Sequence, residues 1–150
     1  MSPEILPLLV ALLQGAVFPW KSGAKPPAVA GVHLGDTRAR LDSLLGAPDS
    51  TQNLGPGAYA FTYARRGLSI VYTLQDGAAI VYLVRRTAGD IGTVRVGDTK
   101  QQVLARWGPP SSAQPPNALY QAGSWVVVVV MDTAGHSVAR LGLGRVAGRE

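Results

Sequence analysis

The segment Leu34–Pro48, LGDTRARLDSLLGAP, returns as Val96–Pro110, VGDTKQQVLARWGPP, so this chain must fold in a way that accommodates one structural unit twice. The copies agree at Gly35/Gly97, Asp36/Asp98, Thr37/Thr99, Gly46/Gly108 and Pro48/Pro110. They keep residue character at Leu34/Val96, Arg38/Lys100, Leu41/Val103 and Leu45/Trp107. Each shared residue has a mechanical task. An Asp or Thr ahead of a short periodic run can accept hydrogen bonds from the unpaired N–H groups of a helix's first turn. Gln101 stands three residues after Asp98, the spacing of a capping box. Gly46 and Gly108 suit the residue that closes a helix, and the prolines beyond them forbid its continuation. Leu41, Leu44 and Leu45, like Val103, Leu104 and Trp107, fall on one helical face. Helices of about two turns are marginal alone in water, so each needs a surface to pack on.

Strand signals supply that surface. Asp49–Gly57 reads as a turn-rich connection, after which Ala58–Ala64 alternates aromatic Tyr59, Phe61 and Tyr63 with small residues. Arg65-Arg66-Gly67 reverses the chain into Leu68–Leu74, and Asp76-Gly77 favours a hairpin into a third strand, Ala79–Arg86. The second copy follows the same order: a Pro-rich loop at Ser111–Asn117, then Ala118–Ala122, Trp125–Met131 and Ser137–Arg145. The expectation is an α+β fold: two tandem helix-plus-three-stranded antiparallel units, residues 31–91 and 92–150, forming one compact body. With 150 residues, 18 Gly and 11 Pro, the composition suits short strands and many turns around a single core. The five valines Val126–Val130 provide no polar face, which predicts a strand covered on both sides. Either the two half-sheets cover one another, or a second protomer or a ligand does so.

Residues 1–30 read as a leader and linker. Ile5–Phe18 is an apolar run shorter than the about 20 residues of a membrane span and resembles the core of an export signal. Small residues permit cleavage after Ala30 or earlier, at Gly15–Ala16. Glu4, with no Lys or Arg before the run, departs from the usual positive start of such signals. An uncleaved anchor ending at Trp20–Lys21 and an ordinary packed helix are the alternatives. The localisation expected is periplasmic or secreted.

A helix opened by L/V-G-D-T and closed by G-x-P, then antiparallel strands with an aromatic first strand and a D-G turn, resembles the SmpA/OmlA family. That family shares the fold of β-lactamase inhibitory proteins, in which such units also occur in tandem. The likeness covers roughly residues 31–146. It implies a non-enzymatic, exported module that binds protein or supports envelope assembly. The SmpA/OmlA lipoproteins carry a lipidated cysteine and usually one unit, whereas this chain has two units and no cysteine.

The residues themselves offer no reacting constellation. Without cysteine there is no disulfide framework, thiolate nucleophile or zinc knuckle. His33 and His136 are the only histidines and lack metal-ligand spacing. Ser69 and Ser124 lack a nucleophile elbow. Arg66–Thr73 follows the spacing of an RNA-recognition strand but places Leu68, Ile70 and Thr73 where stacking rings belong. The chain therefore reads as non-catalytic, without cofactor or metal and without a nucleic-acid partner. Its formal charge of +5 favours anionic neighbours. Arg65, Arg66, Arg85 and Arg86 bracket adjacent strands and, with Tyr82, form the candidate contact surface. The expected partner is an envelope protein, with a homodimer allowed; the alternative is anionic lipid or lipopolysaccharide held by the arginine pairs.

Overall fold

In a computed structural model, residues 25–145 are described. Helix α1 (Arg38–Leu45) is followed by strands β1 (Ser50–Gly55), β2 (Ala58–Tyr63), β3 (Leu68–Thr73) and β4 (Gly77–Leu83). Helix α2 (Lys100–Trp107) is followed by β5 (Ser112–Gln114), β6 (Asn117–Ala122), β7 (Trp125–Met131) and β8 (Val138–Arg145). All eight strands belong to one antiparallel sheet, ordered β1-β2-β3-β4-β8-β7-β6-β5.

This overturns the expected pair of helix-plus-three-strand units. Each repeat carries a fourth strand, and the two sets join edge to edge where Ile80–Leu83 of β4 pairs with Leu141–Gly144 of β8. The missed strands lack the pattern that announces a strand. All but the last residue of β1, STQNLG, is exposed, and β5 is three exposed residues followed by Pro115 and Pro116. Both are edge strands defined by their ladders to β2 and β6, not by a buried face.

The helices start one residue later than the sequence suggests. Thr37 and Thr99 are the N-caps, accepting from the N–H groups of Arg40 and Gln102, and the capping box closes between Thr99 and Gln102. Asp36 and Asp98 act one step earlier, each accepting the N–H three residues before it, from His33 at 2.9 Å and Arg95 at 3.0 Å. The Gly-Asp step is also sewn to the sheet. Gly35 donates to the Ala78 carbonyl and Ala78 donates back to that of Asp36, at 2.8 and 2.9 Å. Gly97, Asp98 and Val138 repeat both bonds at the same distances.

Leu41, Leu45, Val103 and Trp107 from the helices form one core with Phe61, Tyr63, Leu68, Ile70, Val81, Leu83, Val127, Val129, Leu141 and Leu143 from the sheet. Both helices therefore cover the same sheet face. The half-sheets do not shield one another: Val127 and Val129 are buried beneath the helices, whereas Val126, Val128 and Val130 are half-buried on the opposite face. On that helix-free face the Tyr82 ring lies across Gly142, where an added Cβ would sit 2.6 Å from ring carbons. Glycine is required there by close approach.

The repeat begins earlier than Leu34. Val29 and Val32 exchange hydrogen bonds across a tight turn and are fully buried, and Ile91 and Val94 do the same in the second copy. Cleavage after Ala30 would therefore remove a core residue, while the alternative site at Gly15–Ala16, like Ile5–Phe18, lies outside the described residues. Among the described residues no helix is long and apolar enough to cross a membrane. A chain beginning at Gly31 should be less stable than one beginning at Lys25 by about 1.5–3 kcal/mol, the value of one buried valine; urea denaturation of the two measures the difference.

Candidate functional site

The β2–β3 and β4 registers decide where the arginine doublets meet. Because Tyr63 pairs with Leu68 and Leu68 with Leu83, the Ala64–Arg66 turn and the segment after β4 emerge at one end of the sheet. The reversal ends on Gly67, at φ 68°, where an added Cβ would lie 2.7 Å from Arg85 Cβ. No side chain fits that close approach, and the left-handed backbone disfavours one as well.

The four arginines then separate into two kinds. The Arg85 guanidinium donates to the carbonyls of Ala64 and Arg65, holding the turn to the end of β4. Arg86 reaches into the second repeat, donating to Asp98 Oδ1 at 2.8 Å and to the Val96 carbonyl at 3.3 Å. Asp98 is the one buried charged residue among those described, at 3% exposure. Its other oxygen accepts from Arg106 at 2.9 Å and from the Arg95 N–H at 3.0 Å. Burial alone would push the Asp98 carboxyl up, but the Arg86 and Arg95 hydrogen bonds and the charges of Arg86 and Arg106 hold it below its ordinary value of 3.8. Asp36, its counterpart, makes the same backbone bond yet no ion pair among the described residues. Sequence reasoning grouped Arg86 with the contact surface and missed Arg106; the acceptor they share is a residue the sequence had assigned to helix capping.

Arg65 and Arg66 are exposed and line two shallow clefts. One, of about 420 Å³, is shared with Leu45, Ala47, Asp49 and Tyr63, and the other, of about 200 Å³, with Ala30, Leu68, Thr87 and Ala88. Asp49 at the first cleft is committed to the Ala64 N–H. Tyr63 is buried, and its hydroxyl has no hydrogen-bond partner among the described residues; burial raises its pKa, with the charge of Arg38 opposing. The corresponding Tyr120 donates to the Gly108 carbonyl at 2.8 Å, and burial pushes its hydroxyl up to about 12. Tyr82 belongs to the helix-free face, half-buried, with the Arg140 guanidinium 5.3 Å from its ring centroid. It stands with the valines of β7 rather than with the doublets. Among the described residues no group of three His, Asp or Glu side chains is placed to hold a metal.

The fold has solved neighbours. A cysteine-rich secretory protein from Staphylococcus aureus matches with a TM-score of 0.64 at 13% identity over 83% of this chain and 48% of its own. An extracellular protein containing an SCP domain from Bacillus anthracis matches with a TM-score of 0.64 at 8% identity, over 84% of this chain and 48% of its own. A DUF4309 family protein from Bacillus subtilis matches with a TM-score of 0.54 at 13% identity, over 74% of this chain and 79% of its own. This chain thus spans about half the length of the first two. No family profile matches the sequence, and no curated protein does. At these identities the likeness is one of fold.

Two expectations follow from the geometry. Asp98→Asn should cost about 1–3 kcal/mol at neutral pH, toward the lower end because both guanidiniums are half-exposed to solvent. Since the folded carboxyl titrates below 3.8, its contribution is complete above that value and lost as pH falls through the lower, folded pKa. The gap between wild type and Asp98→Asn in denaturation midpoint should therefore narrow in acid, and Asp36→Asn should show a smaller gap throughout. Tyr63→Phe should be neutral or stabilising because it removes an unpaired buried hydroxyl, whereas Tyr120→Phe should cost about 1–3 kcal/mol by leaving the Gly108 carbonyl unsatisfied; thermal melts of the pair distinguish them.

Proposed function

We propose that this chain is a non-catalytic, exported envelope protein that recognises another protein through its helix-free sheet face, a protein-binding role that the resemblance to SmpA/OmlA modules supports. The observation that carries the reading is the character of that face. Val71, Ile80, Tyr82, Val126, Val128 and Val130 are half-buried side chains on the side of the sheet that the helices leave bare. A contiguous apolar patch on a sheet is the kind of surface that protein partners cover, and an aromatic ring beside an arginine, as at Tyr82 and Arg140, is a common anchor. Export is supported by the apolar Ile5–Phe18 run and by two fold neighbours described as secretory or extracellular.

A second reading, recognition of an anionic lipid or lipopolysaccharide, is favoured by one observation. Arg65 and Arg66 line solvent-open clefts, while Arg85 and Arg86 are engaged in internal bonds. Only the first doublet is available to such a ligand.

A photo-cross-linking amino acid at Val128 in living cells should capture an envelope protein, and one at Arg40, exposed on the helix of the first repeat, should not. Capture of cytosolic proteins only, or equal capture at both positions, counts against the reading. The lipid alternative requires that Arg65→Ser with Arg66→Ser remove binding to phosphatidylglycerol vesicles at low salt while leaving the melting temperature unchanged. Arg86→Ser should instead lower the melting temperature.

A further inference from the structure

The bonds from the Gly-Asp step to the sheet and the strand ladders put the two repeats in register, and one position of that correspondence is empty in the second. The Gly35–Ala78 and Gly97–Val138 hydrogen bonds make Ala78 and Val138 equivalent. Tyr72 pairs with Ala78 and Met131 with Val138, so Tyr72 corresponds to Met131. Ile70 pairs with Val81 and Val129 with Leu141, which aligns Ile70 with Val129. One strand further, Phe61 pairs with Ile70 and Ala118 with Val129, so Phe61 corresponds to Ala118. Tyr59, opposite Tyr72, corresponds to Pro116, whose carbonyl accepts from the Met131 N–H. On the helices, Arg38 corresponds to Lys100.

In the first repeat these positions build a filled aromatic stack. The Phe61 ring is fully buried, 6.3 Å from Tyr59 at an interplanar angle of 8° and 5.5 Å from Tyr72 at 30°. The Arg38 guanidinium lies 4.4 Å from its centroid, and the Tyr72 hydroxyl accepts from the Arg38 N–H at 3.2 Å. In the second repeat, Ala118, Met131 and Pro116 stand where the three rings were, and a cavity of about 160 Å³ opens there, also lined by Lys100, Val103 and Val129. A dry apolar cavity of about 150 Å³ is large enough to take up benzene. The Lys100 backbone is held by the His136 carbonyl, and its ammonium makes no ion pair among the described residues. Its charge complements the negative face of a ring, as Arg38 does over Phe61.

We propose that this cavity is a docking pocket for the aromatic side chain, Phe or Tyr, of a partner polypeptide, with Phe61 of the first repeat as its internal template. The inference rests on the protein-binding reading and places part of the contact on the helical side of the sheet. The cavity wall is apolar, and a polypeptide's own ring already satisfies the same wall one repeat earlier. A ring entering from outside would restore the burial that Ala118 leaves undone.

The test is a methyl-resonance NMR titration of the full chain with N-acetyl-phenylalanine amide, N-acetyl-leucine amide and toluene. The phenylalanine amide should shift the methyl signals of Val103, Val129 and Met131 saturably and more tightly than the leucine amide, leaving those of Leu41 and Ile70 unmoved. Ala118→Phe should fill the pocket and abolish the shifts. Lys100→Met, which leaves the core intact, should weaken the phenylalanine complex about threefold to tenfold. No saturable shift, no preference over leucine, binding of toluene alone, or shifts that survive both substitutions would each overturn the proposal. Cross-linking at Val128 is independent of these titrations, so a failed titration with a captured partner removes the pocket alone, and bound phenylalanine without a captured partner removes only the sheet-face reading.

Discussion

The β4–β8 ladder is the contact on which the rest of the molecule depends. Each repeat presents a helix on one face of four strands, and neither set could bury its helix-facing residues as fully without the other's edge beside it. Joining β4 to β8 puts Val81 opposite Leu143 and Leu83 opposite Leu141, so the best buried residues of both copies meet at the seam. It also removes two exposed edges, leaving β1 and β5 as the outer strands of the single sheet. Gly142 and Gly144 belong to this arrangement. They stand opposite Tyr82 and Ile80, whose side chains lie over the space that a Cβ would occupy.

Around that seam the backbone repeats while the side chains diverge. Both copies keep the Val-to-Val or Ile-to-Val turn, the bond from the Gly-Asp step to the sheet, the threonine cap and the closing glycine. These are the groups whose loss would leave buried N–H or C=O groups unpaired, so substitutions there carry a penalty in either copy. Where only packing or charge is at stake, the copies differ. Asp98 gathers Arg86 and Arg106, but among the described residues Asp36 pairs with no arginine; Tyr120 finds a carbonyl there, but Tyr63 does not; Phe61 fills a space that Ala118 leaves open.

The duplication, the helices and the long strands were legible because each rests on a local signal: a capping threonine, a closing glycine, or alternation against a buried face. Strands β1 and β5 were not, since their partners rather than their own side chains define them. The joined sheet was hidden for a related reason. Five consecutive valines state that both faces of β7 are apolar, but not whether a second layer or an adjoining strand relieves them, and pairing partners are non-local. The arginine doublets were legible as brackets of adjacent strands, and the registers bring both to one end of the sheet. That Arg85 would hold the Ala64–Arg66 turn depended on the strand register, and that Arg86 would be spent on Asp98 depended on the arrival of the second repeat, which no local pattern encodes.

This division of the arginines constrains how the surface can work. A guanidinium holding a buried carboxylate, as Arg86 holds Asp98, cannot be recruited by a ligand without weakening the pairing of that carboxylate, a loss that offsets what the new contact supplies. Arg85 and Arg86 therefore fix the shape of the sheet's end, and Arg65 and Arg66 are carried on that frame. The same logic separates the two repeats. In the first, aromatic rings fill the space between helix and sheet; in the second, the same scaffold is held by the Asp98 cluster and the Tyr120 hydroxyl while the wall beneath α2 stays open. A duplicated unit whose framework bonds are all retained can leave one such space unfilled without losing its fold, because the seam and the buried face supply the stability that the missing ring does not.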